Sequence, residues 1–107
     1  MGTSPETLQA IVAAAGPGAT TKRMFGEAAL YLGAKVVALV CDDRLFLKPT
    51  DPGRSLLPDA EEAPPYPGAK PHLVVPEEAW EEPGFLPRLV AATADALPEP
   101  KPKKRKP

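Results

Sequence analysis

Apolar positions in the first fifteen residues recur at the spacing of a helix. The dipeptide Ser4-Pro5 favours a helix start, because the serine hydroxyl accepts from exposed N–H groups and proline is tolerated in the first turn. Gly-Pro-Gly at 16–18 ends the pattern. The chain therefore predicts an amphipathic first helix. Its apolar face is formed by Leu8, Ile11, Val12 and Ala15.

Residues 22–48 are largely apolar and are interrupted by two short polar breaks, which predicts three antiparallel strands joined by two-residue turns. Gly33 begins the first turn, where it supplies a positive φ. Asp42 and Asp43 form the second turn, because aspartate tolerates the left-handed region. The expected unit is a three-stranded antiparallel meander, with residues 23–26 as its lead-in.

Pairing across these turns predicts a sheet with two apolar faces, of which the first carries the helices. A second face as apolar as this one is not expected to be open to solvent, so loops, the C-terminal segment or a second subunit should cover it. The first face contains Ala29, Tyr31, Val36, Ala38, Val40, Leu45 and Leu47. The second face contains Leu30, Leu32, Val37, Leu39, Cys41 and Phe46, with Lys35, Arg44 and Lys48 at its margins.

The second half of the chain predicts short elements within a proline-rich segment. One turn of helix is expected at 53–57, and residues 72–75 form a strand whose flanking prolines indicate a sheet edge. Helices are predicted near 77–81 and from about 84 to 97, with Trp80 and Phe85 as packing anchors. The apolar side of the last helix is Leu86, Leu89, Val90, Thr93 and Leu97.

The near balance of 13 basic and 14 acidic residues hides a strong asymmetry. Residues 98–107 carry five basic residues and one acid, which leaves residues 1–97 with eight basic and 13 acidic residues, a net charge of −5. A chain of 107 residues has room for one core. We therefore expect one folded domain over 1–97 and a disordered basic tail over 98–107.

The cysteine count and the apolar runs bear on the compartment. Cys41 is the single cysteine, which excludes an intramolecular disulfide and a multi-cysteine zinc site. The apolar run at 36–41 is much shorter than the roughly 20 residues of a membrane span. Glu6 precedes the first apolar stretch, without the basic segment of a signal peptide. These features predict a cytoplasmic protein without a membrane partner.

Two sets of residues are candidates for chemistry. Asp42 and Asp43 are adjacent, and neighbouring strand residues point to opposite faces, so the pair is interpreted as a turn and not as an acid–base or metal site. Cys41 and His72 would form a nucleophile–base dyad if the fold joined them; the alternative is a buried structural cysteine and a strand histidine. No catalytic residue, metal ligand or cofactor is predicted.

The basic run in the tail is the strongest charge signal in the chain. Clustered lysine and arginine attract phosphate backbones by releasing counterions, without distinguishing base sequences. The alternative is a tail that only solubilises the protein. The predicted nucleic-acid contacts are Lys101, Lys103, Lys104, Arg105 and Lys106.

The segment KRMFGEAALYLGAKVVALVCDDRLFLKP, residues 22–49, resembles the N-terminal domain of the TfoX/Sxy competence-regulator family. PPYPGAK at 64–70 and VVPEEAW at 74–80 are similar to the family's tyrosine-containing loop and to one of its helix starts. The similarity covers roughly residues 20–97. It implies a two-layer α+β domain with an antiparallel sheet and flanking helices, like the secretion-chaperone fold. It also implies a regulator, with no enzymatic activity or catalytic residues.

The sequence and the resemblance together predict a non-enzymatic regulatory or protein-interaction module whose partner is another protein or a second copy of itself. The resemblance links it to transcriptional regulation or competence. Two alternatives remain: a weak nucleic-acid binder acting through the tail, and a small-molecule enzyme centred on Cys41 and His72. For a homodimer, the predicted interface is the second sheet face, through Leu30, Val37, Leu39 and Phe46.

Overall fold

A computed structural model describes residues 3–24 and 27–97, with the side chain of Met24 excepted. Six antiparallel strands form one sheet in the order β1-β2-β3-β4-β6-β5. The helices are α1 (Pro5–Ala15), α2 (Asp51–Leu56), α3 (Glu77–Glu81) and α4 (Phe85–Ala96). The strands are β1 (Ala19–Met24), β2 (Glu27–Leu32), β3 (Lys35–Cys41), β4 (Arg44–Leu47), β5 (Glu62–Ala63) and β6 (His72–Val75). The predicted α+β class, with N- and C-terminal helices packed on an antiparallel sheet, is confirmed.

Helix α1 begins and ends where its sequence predicts. The Thr7 amide donates to the Ser4 hydroxyl across 3.2 Å, which satisfies one of the free N–H groups of the first turn. Gly16 ends the helix with φ 91°, and its amide donates to the carbonyl of Val12. The helix buries Leu8 and Ile11 against the sheet, and burial of a side chain of that size contributes about 1.5–3 kcal/mol.

Both two-residue turns of the meander are confirmed. Asp42 and Asp43 have φ values of 55° and 62°, the two positive values that define a type I′ hairpin turn. Gly33 has φ 63° at the position where a type II′ turn places glycine. These turns set the direction of β2, β3 and β4.

The pairing of β2 with β3 contains a bulge that changes the predicted faces. Tyr31 pairs with Val36, but Leu30 pairs with Ala38, so Val37 is an extra residue on β3. Uninterrupted pairing from the turn would have placed Leu30 opposite Val37. Because side chains alternate along a strand, this shift of one residue exchanges the two faces of β2.

We call the side of the sheet that packs against the helices the inner face and the opposite side the outer face. The assignment of Ala29, Tyr31 and Val36 to the helix-bearing face was wrong, as was the assignment of Leu30, Leu32, Val37 and Lys35 to the other. The inner face buries Ala28, Leu30, Val37, Ala38, Val40, Leu45, Leu47, Leu73 and Val75 in the core. The outer face carries Ala29, Tyr31, Val36, Leu39, Cys41, Phe46 and Val74, with Lys22, Arg44, Lys48 and His72.

Two strands differ from the sequence prediction. Strand β6 lies between β4 and β5 and not at an edge, because Pro71 and Pro76 flank the strand and leave the amides of its four residues free to pair. Strand β1 is a full six-residue edge strand, where only a lead-in at 23–26 was predicted. Phe25 and Gly26 of that lead-in lie outside the described residues.

The C-terminal helices confirm the predicted apolar pattern. Helix α4 buries Leu86, Leu89, Val90 and Thr93. The Thr93 hydroxyl donates to the Leu89 carbonyl across 2.8 Å, so a polar group in the core has a partner. Trp80 and Phe85 pack against the core as predicted. No helix in the described part of the chain is both long and apolar enough to span a membrane.

Candidate functional site

The β3–β4 turn holds the start of helix α1 in place. The Ser4 amide donates to Asp43 Oδ1 across 2.8 Å, and the Asp43 amide donates to Thr3 Oγ1 across 3.2 Å. The Ser4 amide, followed by the side chain of Thr7, lowers the pKa of the Asp43 carboxyl. The carboxylate therefore fixes a helix to a hairpin, and the interpretation of Asp42 and Asp43 as a turn is confirmed.

Glu27 extends this attachment to the start of β2. Its Oε1 accepts from the Thr3 hydroxyl at 2.8 Å and from the Asp42 amide at 2.9 Å, and Thr3 is only 4% exposed. The guanidinium of Arg23 donates to the Thr3 carbonyl across 3.1 Å. Sequence reasoning missed this network, because it joins residues up to 40 positions apart without a local motif.

Cys41 is buried at 6% exposure on the outer face, as the sequence predicts for a structural thiol. Burial, followed by the charges of Glu27 and Asp42, raises the pKa of the thiol. A cysteine nucleophile needs a lowered pKa to form thiolate at neutral pH. The surroundings of Cys41 therefore oppose nucleophilic chemistry.

The fold does not bring Cys41 and His72 together. Cys41 pairs with Arg44, at the start of β4. His72 lies beyond the other end of β4, because it precedes Leu73, which pairs with Leu47. Four residues along a strand span about 13 Å, and β3 and β6 lie on opposite sides of β4. The His72 ring instead places Nδ1 2.9 Å from the carbonyl oxygen of Lys70. The postulated dyad is absent from this geometry.

Carboxylates and other potential ligands do not converge elsewhere in the described ranges. Among residues 3–24 and 27–97, no group of three or more His, Cys, Asp or Glu side chains is placed to hold a metal ion. The predicted nucleic-acid contacts at 101–106 lie outside the residues that the structure describes.

The outer face has an ordered row of side chains running across the strands. Because directly paired residues point to the same side of a sheet, the register assigns the row residue by residue. We call it the middle row, and it consists of Lys22, Ala29, Leu39, Phe46 and Val74. Glu61 follows at its end, since the Val74 amide donates to the Glu61 carbonyl across 2.8 Å.

Arg44 connects the apolar centre of the outer face with its acidic end. Its guanidinium carbon lies 5.4 Å from the centre of the Phe46 ring, within the range of a cation–π contact. One of its nitrogens, Nη2, is 3.6 Å from Glu61 Oε1 in an exposed ion pair. Phe46 is only 3% exposed, and the guanidinium of Arg44 lies over its ring.

The four residues predicted to form an interface are divided between the two faces. Leu30 and Val37 are fully buried in the core beneath the helices, so their expected position on the interface was wrong. Leu39 and Phe46 do lie on the outer face. The half-buried side chains that accompany them are Tyr31, Val36 and Val74. Tyr31 and Val36 were assigned to the other face because the bulge at Val37 has no sequence signature.

The architecture defines a small α+β domain whose helices cover one face of a six-stranded antiparallel sheet. The family model described as the TfoX N-terminal domain matches residues 10–97, and the chain belongs to this family. An uncharacterized 12.7 kDa protein from the trpE 5′ region of Spirochaeta aurantia is 51% identical over 84 residues, which is 78% of this chain and 72% of that protein. No solved structure matches the chain.

Proposed function

We propose that this chain is a non-enzymatic regulatory module that acts by binding a protein through the outer face of its sheet. The observation that carries the proposal is the placement of the helices: all four contribute to the core on the inner face. Half-buried apolar side chains remain on the other side, and apolar side chains on an open sheet face favour a protein interaction site. They are Tyr31, Val36, Leu39 and Val74.

The surroundings of the reactive side chains support binding and not catalysis. Burial raises the pKa of the Cys41 thiol, and the Asp43 carboxylate is engaged by the Ser4 amide. Membership of the TfoX N-terminal domain family supports a regulatory role. We extend that role to the control of transcription or competence as part of the proposal.

Site-specific photo-crosslinking in the native cells tests the interaction surface. A photoreactive phenylalanine analogue replaces Val36 on the outer face, and a matched variant carries it at Arg88, an exposed position on α4. We expect a discrete protein adduct from position 36 and none from position 88. The mass of the adduct identifies either a second copy or another protein. Absence of any adduct from position 36 contradicts the proposal.

Nucleic-acid binding through the tail is a second candidate function. The observation that favours it is the concentration of five of the 13 basic residues in the last ten positions. Such a run binds phosphate backbones irrespective of base sequence, with an affinity that falls steeply with salt. This function is compatible with the first, because the tail and the outer face are separate parts of the chain.

A further inference from the structure

The middle row of the outer face carries a cation at one end, an anion at the other and apolar side chains between them. Lys22 lies on edge strand β1, opposite Ala29. Glu61 immediately precedes β5 at the other edge, and its carboxylate points to the outer face because it contacts Arg44 there. The order along the row is Lys22, Ala29, Leu39, Phe46, Val74 and Glu61.

We propose that the protein bound by the outer face is a second copy of this chain, in a symmetric dimer whose two-fold axis runs parallel to the strands. This inference rests on the proposed function and names its partner. Such an axis reverses the strand order, so β1 of one copy lies over β5 of the other, β2 over β6 and β3 over β4. The two sheets then pack with their strands aligned.

The row is complementary to itself under this operation. Lys22 of each copy faces Glu61 of the other, so each Glu61 is shared between Lys22 of the second copy and Arg44 of its own chain, at opposite edges of the interface. At the centre, Leu39 faces Phe46 of the second copy. Between the centre and each edge, Ala29 faces Val74. Opposite charges are thus matched at both ends of the row, and apolar side chains lie between them, where Leu39 and Val74 supply most of the accessible surface because Ala29 and Phe46 are only 1% and 3% exposed.

The same charges disfavour a two-fold axis that runs along the row, perpendicular to the strands. Such an axis would also pack the two outer faces together, but it would place each strand opposite the same strand of the second copy. Lys22 would then face Lys22, and Glu61 would face Glu61. Like charges placed directly opposite each other are destabilising, so the pattern of charges selects the axis parallel to the strands.

The size of the face indicates a weak dimer. Six strands span five spacings of about 4.8 Å, and three rows along the strands span about 20 Å, which gives roughly 500 Å² per copy. Two copies would bury about 1,000 Å², at the lower limit for a specific interface. We therefore expect a dissociation constant in the micromolar range and a reversible equilibrium between monomer and dimer.

A charge-exchange experiment on the full chain tests the partner and the axis together. Sedimentation velocity over a concentration series compares the wild type, Lys22→Glu, Glu61→Lys and the variant that carries both substitutions. Each single substitution places like charges in contact twice per dimer, so we expect dimerisation to weaken about tenfold. The combined variant restores both pairs with reversed polarity and should recover most of the wild-type affinity. Lys22 and Glu61 are about 24 Å apart across the strands of one chain, so recovery requires contact between copies.

Two further variants complete the test. Arg88→Glu makes the same change of charge as Lys22→Glu on the exposed side of α4, and it should leave dimerisation unchanged. Leu39→Asp introduces a charge at the centre of the face and should abolish the dimer, with circular dichroism confirming that the fold is kept.

A wild type that is monomeric at about 200 µM overturns the inference. So does a combined variant as weak as the single ones. In either case, an adduct between position 36 and a different protein would still support the proposed function.

Discussion

Asp43 has two structural roles, one in the β3–β4 turn and one at the start of helix α1. Its φ of 62° is required by the type I′ turn, and its carboxylate accepts from the Ser4 amide at the start of α1. Aspartate satisfies both, since it tolerates the left-handed region and a negative charge is favourable near a helix N-terminus. The sequence identifies the turn, but the contact with α1 depends on how the chain folds back after 39 residues.

The lowered pKa of Asp43 predicts a pH dependence of stability. The unfolded carboxyl has a pKa near 3.9, and that of the folded chain lies lower, so the unfolded state binds more protons between the two values. The stabilisation is therefore complete above the unfolded pKa and is lost as pH falls through the folded one. Asp43→Asn keeps the turn and removes the charge.

Thermal unfolding of the wild type and Asp43→Asn at pH 7 and pH 3 measures this effect. We expect the wild type to have the higher midpoint at pH 7 and the difference to shrink at pH 3. Asp59→Asn makes the same change of charge at an exposed position outside this network and is the control. Equal differences at both pH values would show that the Asp43 charge does not stabilise the fold.

The raised pKa of Cys41 predicts an unreactive thiol. Burial and the nearby charges of Glu27 and Asp42 suppress the thiolate, which is the species that attacks a disulfide reagent. At pH 7.5 we expect the native protein to react with Ellman's reagent much more slowly than a free thiol. In guanidinium chloride it should release one equivalent at once. Native labelling at the rate of a free thiol would reopen the enzymatic interpretation.

At the scale of the elements, Lys35 joins the β2–β3 hairpin to the end of helix α4. Its ammonium donates to the carbonyl of Ala94 across 2.8 Å and to that of Leu97 across 3.1 Å. The last carbonyls of a helix lack intrahelical partners, and a cation there also interacts favourably with the helix dipole. The sequence placed Lys35 at the margin of the other face, so this contact was not anticipated.

Removing this contact should destabilise the fold. Lys35→Met keeps an aliphatic stem of similar length but loses the charge and its donors, and we expect a loss of about 1–2 kcal/mol in the free energy of unfolding. Urea unfolding followed by circular dichroism measures the change. Lys70→Met, on the exposed loop before β6, should change stability by less than about 0.5 kcal/mol. If both variants unfold at the wild-type urea concentration, Lys35 does not secure α4.

The elements that the sequence predicts correctly have local signals. The helix start at Ser4-Pro5 and the turns at Gly33 and Asp42-Asp43 depend on residues within a few positions of each other. Strand β1 was only partly anticipated, because Thr20, Thr21 and Lys22 form no apolar alternation. Strand β6 was assigned to an edge because of its flanking prolines, and the two-residue β5 beyond it leaves almost no pattern that would have corrected this.

The bulge explains why the candidate interface could be predicted only in part. Val36 and Val37 are identical side chains, so nothing in the sequence indicates which of them leaves the regular alternation. A shift of one residue moves every side chain of β2 to the opposite face. Leu39 and Phe46 were placed correctly because they pair across the next hairpin, β3–β4, whose register is regular.

At the scale of the whole molecule, the charge is divided between two parts of the chain. Residues 1–97 carry a net charge of −5, and residues 98–107 carry +4. The net charge of the domain disfavours nucleic acid, so we expect any such binding to come from the tail. The TfoX N-terminal domain family match ends at residue 97 and does not include this segment.

Removing the tail charges should therefore abolish binding to DNA. Fluorescence anisotropy with a labelled duplex compares the wild type with a full-length variant in which the five basic residues of 101–106 are replaced by glutamine. If the tail contacts phosphates, the wild type binds at low salt and weakens steeply as salt rises, with a slope of about −0.9 per phosphate neutralised. The glutamine variant should not bind. Lys70→Gln with Arg88→Gln removes cations from the domain instead and should leave the slope unchanged. If the wild type does not bind at low salt, or if all the variants bind alike, the tail is not a nucleic-acid tether, and the proposed function depends on the outer face of the sheet alone.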